Sequence, residues 1–320
     1  MLRFAIAACL LLAGPARATE IVSQSSEPLF PHAPMQMWET EKITDDVYGF
    51  RYSVYRDIFM VTDDGVIATD PINVKAAKIL REEIRKVTSK PVKFVAYSHS
   101  HWDHIGGGRI FKDEGATFVA QEQCAANLKE SPNADVVMPD VTFKDNYKIS
   151  LGGKSLELFY YGPSHDNCLV VMHLRPANML FVVDIANPPS GWHMPYNPTF
   201  SEDRVWNMVA VLTAVDNLIH KEGIQTIIGG HVTTELNPKT GRFTISRGTV
   251  GPAATVAERR DFMQAAISAV RDELAAGTPA AEVPDRLIAK KVLADRIVDY
   301  DDAKMGMLLR RMTNYAITGD

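Results

Sequence analysis

Within six residues the chain sets three imidazoles and a carboxylate, His99-Ser100-His101-Trp102-Asp103-His104, and follows them with Ile105-Gly106-Gly107. Neutral imidazole nitrogen and carboxylate oxygen are the donors that zinc and similar borderline divalent metals take. Nothing in folding requires so many such groups in one place, and side chains at this spacing can serve two neighbouring ions. Three later positions offer one ligand-type side chain each: His165 in Gly162-Pro163-Ser164-His165, Asp184 closing Phe181-Val182-Val183-Asp184, and His231 closing Ile228-Gly229-Gly230-His231. Taken singly, each is an ordinary core or surface residue; taken together and in this order, they form a candidate metal centre. Ser98 and Ser100 flank histidines without a glycine elbow, so a serine nucleophile is not indicated.

The surrounding pattern shows what must position these groups. The apolar run 92–97 reads as a buried strand that delivers the histidine loop. Runs 47–54 and 58–62 flank Tyr55-Arg56-Asp57, read as a turn, and 66–69 follows Asp63-Asp64-Gly65, so this stretch predicts an antiparallel meander. Apolar residues at helical spacing predict a surface helix over 74–87. A strand at 118–120, a helix at 121–129 and strands at 141–143, 147–150 and 155–161 come next, the last two joined through Gly152-Gly153. Strands at 169–174 and 179–183, a proline- and aromatic-rich loop at 186–200, a helix at 202–220 and a strand at 224–228 complete the series. The strand–helix–strand order occurs twice, which predicts two similar halves packed sheet against sheet with helices outside. Beyond Pro252 the composition shifts to Ala, Arg, Glu and Leu. Helices are expected at 254–275, 281–290 and 303–316, as an accessory cap or a homodimer contact.

At 320 residues and 46% hydrophobic content the chain can bury a large core. Residues 1–18 combine a basic start (Arg3), an apolar run and the small-x-small ending Ala16-Arg17-Ala18, the pattern of a secretory signal peptide cleaved after Ala18. Residues 19–36 read as a loosely held arm, and a periplasmic or secreted protein is expected. The net charge is −5 at pH 7, and losing Arg3 and Arg17 makes it more negative. With no basic block, nucleic acid is not an expected partner; no stable membrane span is expected either, and the partner is a small-molecule substrate. Cys124 and Cys168 either pair in an oxidising compartment or remain buried thiols. His173 and His220 read as structural or exposed, and His32 lies in the arm.

On these motifs, over roughly residues 37–232, the chain resembles the metallo-β-lactamase superfamily. The resemblance implies an α/β fold, the αββα four-layer sandwich, over 37–250, to which the helix-rich composition adds a C-terminal helical extension over 251–320. It implies His99, His101 and His165 as ligands of one metal, Asp103, His104 and His231 as ligands of a second, and Asp184 as the bridge between them. The expected cofactor is two zinc ions per chain, with iron or manganese as alternatives. Two divalent cations offset by Asp103 and Asp184 favour a bridging hydroxide, since metal binding lowers the pKa of water from 15.7 to about 7. That nucleophile would attack an ester, lactone, thioester or β-lactam carbonyl, with Asp103 as the catalytic residue orienting it and carrying its proton. Aspartate at 184 leans toward glyoxalase-, lactonase- and esterase-like relatives, whereas Gly162-Pro163-Ser164-His165-Asp166-Asn167 is reminiscent of true β-lactamases. An iron-dependent persulfide dioxygenase-like oxidoreductase and a non-catalytic binding module are the remaining alternatives. Substrate contact is expected from Tyr55, on a flap-like hairpin, and from Trp192, His193 and Tyr196 on the aromatic loop.

Overall fold

The computed structural model describes residues 37–186, 204–232, 234–237, 242–245, 249–297 and 300–319. The expected signal peptide and arm, His32, and the aromatic-loop residues Trp192, His193 and Tyr196 lie outside the described residues. The chain runs β1 (Trp38–Lys42), β2 (Val47–Tyr52), β3 (Tyr55–Val61), β4 (Val66–Thr69), α1 (Val74–Val87), β5 (Val92–Ala96), α2 (Trp102–Ile105), α3 (Arg109–Asp113), β6 (Thr117–Gln121), α4 (Glu122–Glu130) and β7 (Val141–Phe143). These strands form a seven-stranded sheet in sequence order, antiparallel from β1 to β4 and parallel from β4 to β7. Then come β8 (Asn146–Leu151), β9 (Lys154–Tyr160), β10 (Val170–Arg175), β11 (Met179–Val182), α5 (Val205–Glu222), β12 (Thr226–Gly229), β13 (Thr234–Asn237), β14 (Arg242–Ile245) and β15 (Val250–Pro252). A six-stranded sheet has the order β15-β12-β11-β10-β9-β8, and β13 pairs with β14 in a separate hairpin. The chain closes with α6 (Thr255–Ala275), α7 (Val283–Ala289) and α8 (Asp302–Thr318).

Alternation along the strands builds the layers. On β3, Ile58 and Met60 enter a cluster shared with Leu158, Val170, Met172, Phe181 and Ile228 of the other sheet, while Phe59 faces the opposite way toward Leu80 and Ile84 of α1. α1 is started by Asn73, whose side chain accepts from the N–H groups of Lys75 and Ala76, and it buries Ala76, Ala77, Leu80 and Ile84 at helical spacing. The outer face of the second sheet shares one cluster with α5 and the C-terminal helices: Leu180, Val182 and Ile227 lie in the same cluster as Met208, Leu212, Phe262, Met263, Leu308 and Met312. The result is the expected four-layer αββα sandwich with C-terminal helices. None of its described helices is long and apolar enough to cross a membrane.

One difference from the sequence expectations has a local cause. The turn expected at Tyr55-Arg56-Asp57 lies instead at Ser53-Val54, closed by the Tyr52–Tyr55 pair, with Ser53 at a φ of 55°. A two-residue hairpin turn uses such a left-handed position. The polar residues that imitated a turn are buried strand residues: Arg56 is 3% exposed and Asp57 0%. The hairpin therefore packs into the molecule rather than projecting as a flap. Cys124 and Cys168 are bridged, with Cα atoms 5.4 Å apart. His173 is buried, its Nε2 2.8 Å from the side-chain oxygen of Asn178, whereas His220 is exposed.

Candidate metal centre

β5 ends one residue before Tyr97, and the chain then crosses the sheet edge through His99 and His101 into the single turn of α2, which carries Asp103 and His104. This loop is held from below. The carboxylate of Asp70, just past β4, accepts from the N–H of Ser98 at 2.8 Å, and the N–H of Ile72 donates to the carbonyl of His104 at 2.6 Å. Gly107 allows the exit: a Cβ there, at a φ of +83°, would lie 2.2 Å from the carbonyl carbon of Asn73. From the second sheet come His165 between β9 and β10, Asp184 just beyond β11, and His231 just beyond β12.

These strand ends meet. Side-chain ligand atoms of His99, His101, His165 and Asp184 lie within 4.8 Å of one another, and so do those of His104, Asp184 and His231. Asp184 belongs to both groups. Its Oδ2 is 3.3 Å from His99 Nε2, 3.3 Å from His104 Nε2 and 3.7 Å from His165 Nε2, while Oδ1 is 2.6 Å from His231 Nε2. The structure thus brings together six of the seven side chains singled out in the sequence. Asp103 is in neither group: successive residues of a helical turn point in different directions, and it is His104 that faces Asp184. Asp103 remains close enough for its charge to raise the pKa of His104. Tyr55 is buried, with its ring edge-on to His104 at 5.4 Å and tilted against His231 at 5.1 Å.

The donor set suits a divalent cation. His99 Nε2 and Asp184 Oδ2, which face each other in the cluster, are buried without a hydrogen-bond partner, a costly state for groups that nothing else engages. Ring nitrogens face one another across 3.1 Å (His104 Nε2 and His231 Nε2) and 3.2 Å (His165 Nε2 and His101 Nδ1). Burial, reinforced by His101 and His104, holds His99 well below the usual imidazole range, which keeps it in the neutral form that donates a lone pair. Burial likewise opposes charge on His104, yet Asp184 pushes its pKa up to about 9. Burial also opposes ionisation of Asp184, but His231, His104 and His165 hold its pKa well below the carboxylate range. This His/Asp cluster is able to bind metal, and a bound cation would take the place of the proton on His104.

Several supporting residues were not visible as motifs. Ser98 Oγ is 2.9 Å from His99 Nδ1, which leaves Nε2 to face the cluster. Asp166 accepts from the N–H and hydroxyl of Ser100 and from the N–H of Cys168, so it ties the first histidine loop to the His165 loop. The Cys124–Cys168 bridge anchors that second loop to α4. Arg56 Nη1 donates to the carbonyls of Gly229 and His231 at 3.2 and 3.1 Å. The signal that could have found such residues is a polar side chain on an otherwise apolar face. Arg259 is the clearest case, sharing the buried stripe of α6 with Val256, Phe262, Met263 and Ala266.

A sequence model described as the Metallo-beta-lactamase superfamily matches residues 59–216. The chain is 26% identical over 158 residues to the alpha subunit of 2,4-dinitroanisole O-demethylase from Nocardioides sp. strain JS1661, covering 47% of this chain and 48% of that one. It is 28% identical over 137 residues to a type 2 metallo-beta-lactamase from Elizabethkingia meningoseptica, covering 39% of this chain and 53% of the relative. The chain thus spans about half the length of these two relatives. Among solved structures, a metallo-beta-lactamase from Pontibacter korlensis superposes with a TM-score of 0.57 at 19% identity, covering 71% of this chain and 99% of the other. By its fold and by the family match across the histidine loop, His165 and Asp184, the chain belongs to the metallo-β-lactamase superfamily.

Proposed function

We propose that this chain is a dinuclear, zinc-dependent hydrolase of a small carbonyl substrate, acting outside the cytoplasm. The observation that carries the reading is Asp184, whose carboxylate is shared between the His99–His101–His165 group and the His104–His231 group. Three imidazoles would hold one ion, two imidazoles the other, and Asp184 both. Bound there, divalent cations supply Lewis acidity, which makes water nucleophilic near neutral pH and polarises a carbonyl oxygen. The chain's own residues do the rest. Ser98, Asp70 and Asp166 fix the histidine loop, Tyr55 covers the second group, and Asp103, whose charge reaches His104, would take and return a proton at the edge of the site. The leader-like residues 1–18 and the Cys124–Cys168 bridge both support an oxidising, extracytoplasmic setting.

The test is metal analysis combined with a substrate panel on the mature protein: a nitrophenyl ester, an acyl-homoserine lactone, S-lactoylglutathione and nitrocefin, together with 2,4-dinitroanisole because of the Nocardioides relative. The expected result is two zinc equivalents per chain and turnover of at least one carbonyl substrate that disappears on chelation and returns with zinc. A single iron per chain, or turnover that survives complete metal removal, would overturn the reading.

A further inference from the structure

Asp184 sits in an unusual backbone. It is a non-glycine residue with a φ of 59°, and the N–H of Ile185 donates to the carbonyl of Val183 at 2.8 Å. Asp184 is therefore the middle residue of a positive-φ γ-turn, a conformation that L residues rarely adopt and that persists only when its surroundings impose it. Two neighbours do so. On one side, Gly230 packs so closely that a Cβ there would lie 2.7 Å from Val183 Cγ1 and 3.0 Å from Val183 Cα. On the other side, the carbonyl of Asp184 accepts a 2.9 Å hydrogen bond from Nη1 of Arg259. Arg259 is 1% exposed and reaches this carbonyl from α6, beyond the residues that match the superfamily. Burying a guanidinium on an apolar helix stripe is costly unless it is engaged, and here it engages the turn that presents the shared carboxylate.

We propose that Arg259 is a positioning residue for Asp184, so that filling of the second metal position depends on the C-terminal helices. This rests on the two-ion reading above. The donor sets predict a selective effect. Among the described residues, the first position has His99, His101 and His165 besides Asp184, whereas the second has only His104 and His231 beside it. Misplacing the carboxylate therefore weakens the second position more than the first.

The experiment titrates metal-free wild type, R259K and R259M with cobalt(II), followed by visible absorption, and with zinc against a chromophoric chelator. Circular dichroism melting is recorded on the same samples. Wild type should take two ions. R259M should keep the first ion's affinity and bind the second about tenfold or more weakly, with R259K intermediate because its ammonium restores a donor. Unchanged binding of both ions in R259M overturns the proposal, and so does parallel weakening of both in step with the melting temperature. If R259M does not fold, R259K decides: selective loss at the second position supports the proposal, and undiminished binding overturns it. Wild type that takes fewer than two ions overturns the two-ion reading and this inference with it. Two ions bound by R259M with the wild-type affinities overturn the inference alone.

Discussion

Asp184 and Asp103 are both acids near the same histidines, but only Asp184 belongs to the two clustered groups, so the proposed function predicts different effects for the two. Asp184 touches both histidine groups, so D184N should lose metal along with activity. D103N should keep its metal, read by metal analysis, while kcat falls by about 100-fold or more, the usual scale for a lost proton-transfer group. Asp57 makes a different prediction. It is fully buried, neither carboxylate oxygen has a hydrogen-bond partner, and burial, with the charge of Asp70 adding, raises its pKa well above 3.8. A carboxyl whose folded pKa is raised favours the fold while protonated, and that stability is lost as pH climbs through the folded value. D57N removes the titration. Chemical denaturation should show D57N gaining on wild type as pH rises above the ordinary carboxylate range, by about 1.4 kcal/mol for each further pH step of one until the folded value is reached. A constant difference between the two across pH 4–9 would contradict this.

At the level of elements, α1 was legible in full, because Asn73 caps a clean apolar stripe and the sequence expectation and the structure agree on 74–87. The strands that carry the ligands were legible too, each as an apolar run ending at a histidine or aspartate. What the sequence hid were polar residues placed inside for the sake of the site. Arg56 and Asp57 read as a turn because strand alternation does not anticipate a buried guanidinium holding the carbonyls beside His231. The single-turn helix α2 was hidden because four residues carry no periodicity, and with it the divergence of Asp103 from His104. The contact between Gly230 and Val183 joins two strand ends, and only the folded structure reveals it. G230A should separate Asp184 from His231 and lower stability by about 1–3 kcal/mol, the range for an overpacked interior, read as a melting shift together with weaker metal retention.

Across the whole molecule, the C-terminal helices share one apolar cluster with the second sheet and α5, so the sequence's picture of a cap understates how deeply they are built in. The Cys124–Cys168 bridge joins positions 44 residues apart. Chain-entropy estimates for a loop of that length give about 4 kcal/mol of stabilisation, so the C124S/C168S double variant should melt several degrees lower, and calorimetry would show it. A difference below one degree would contradict that estimate. The six clustered side chains have a larger consequence, because His99, His101 and His104 hang from one sheet and His165, Asp184 and His231 from the other. Any ion seated there rivets the two halves of the sandwich across their seam. Stripping it should let the rim breathe while the interior stays shut, with faster amide exchange at residues 99–105 and 229–232 and unchanged protection along α1. Excess zinc should then raise the melting temperature with the logarithm of its concentration.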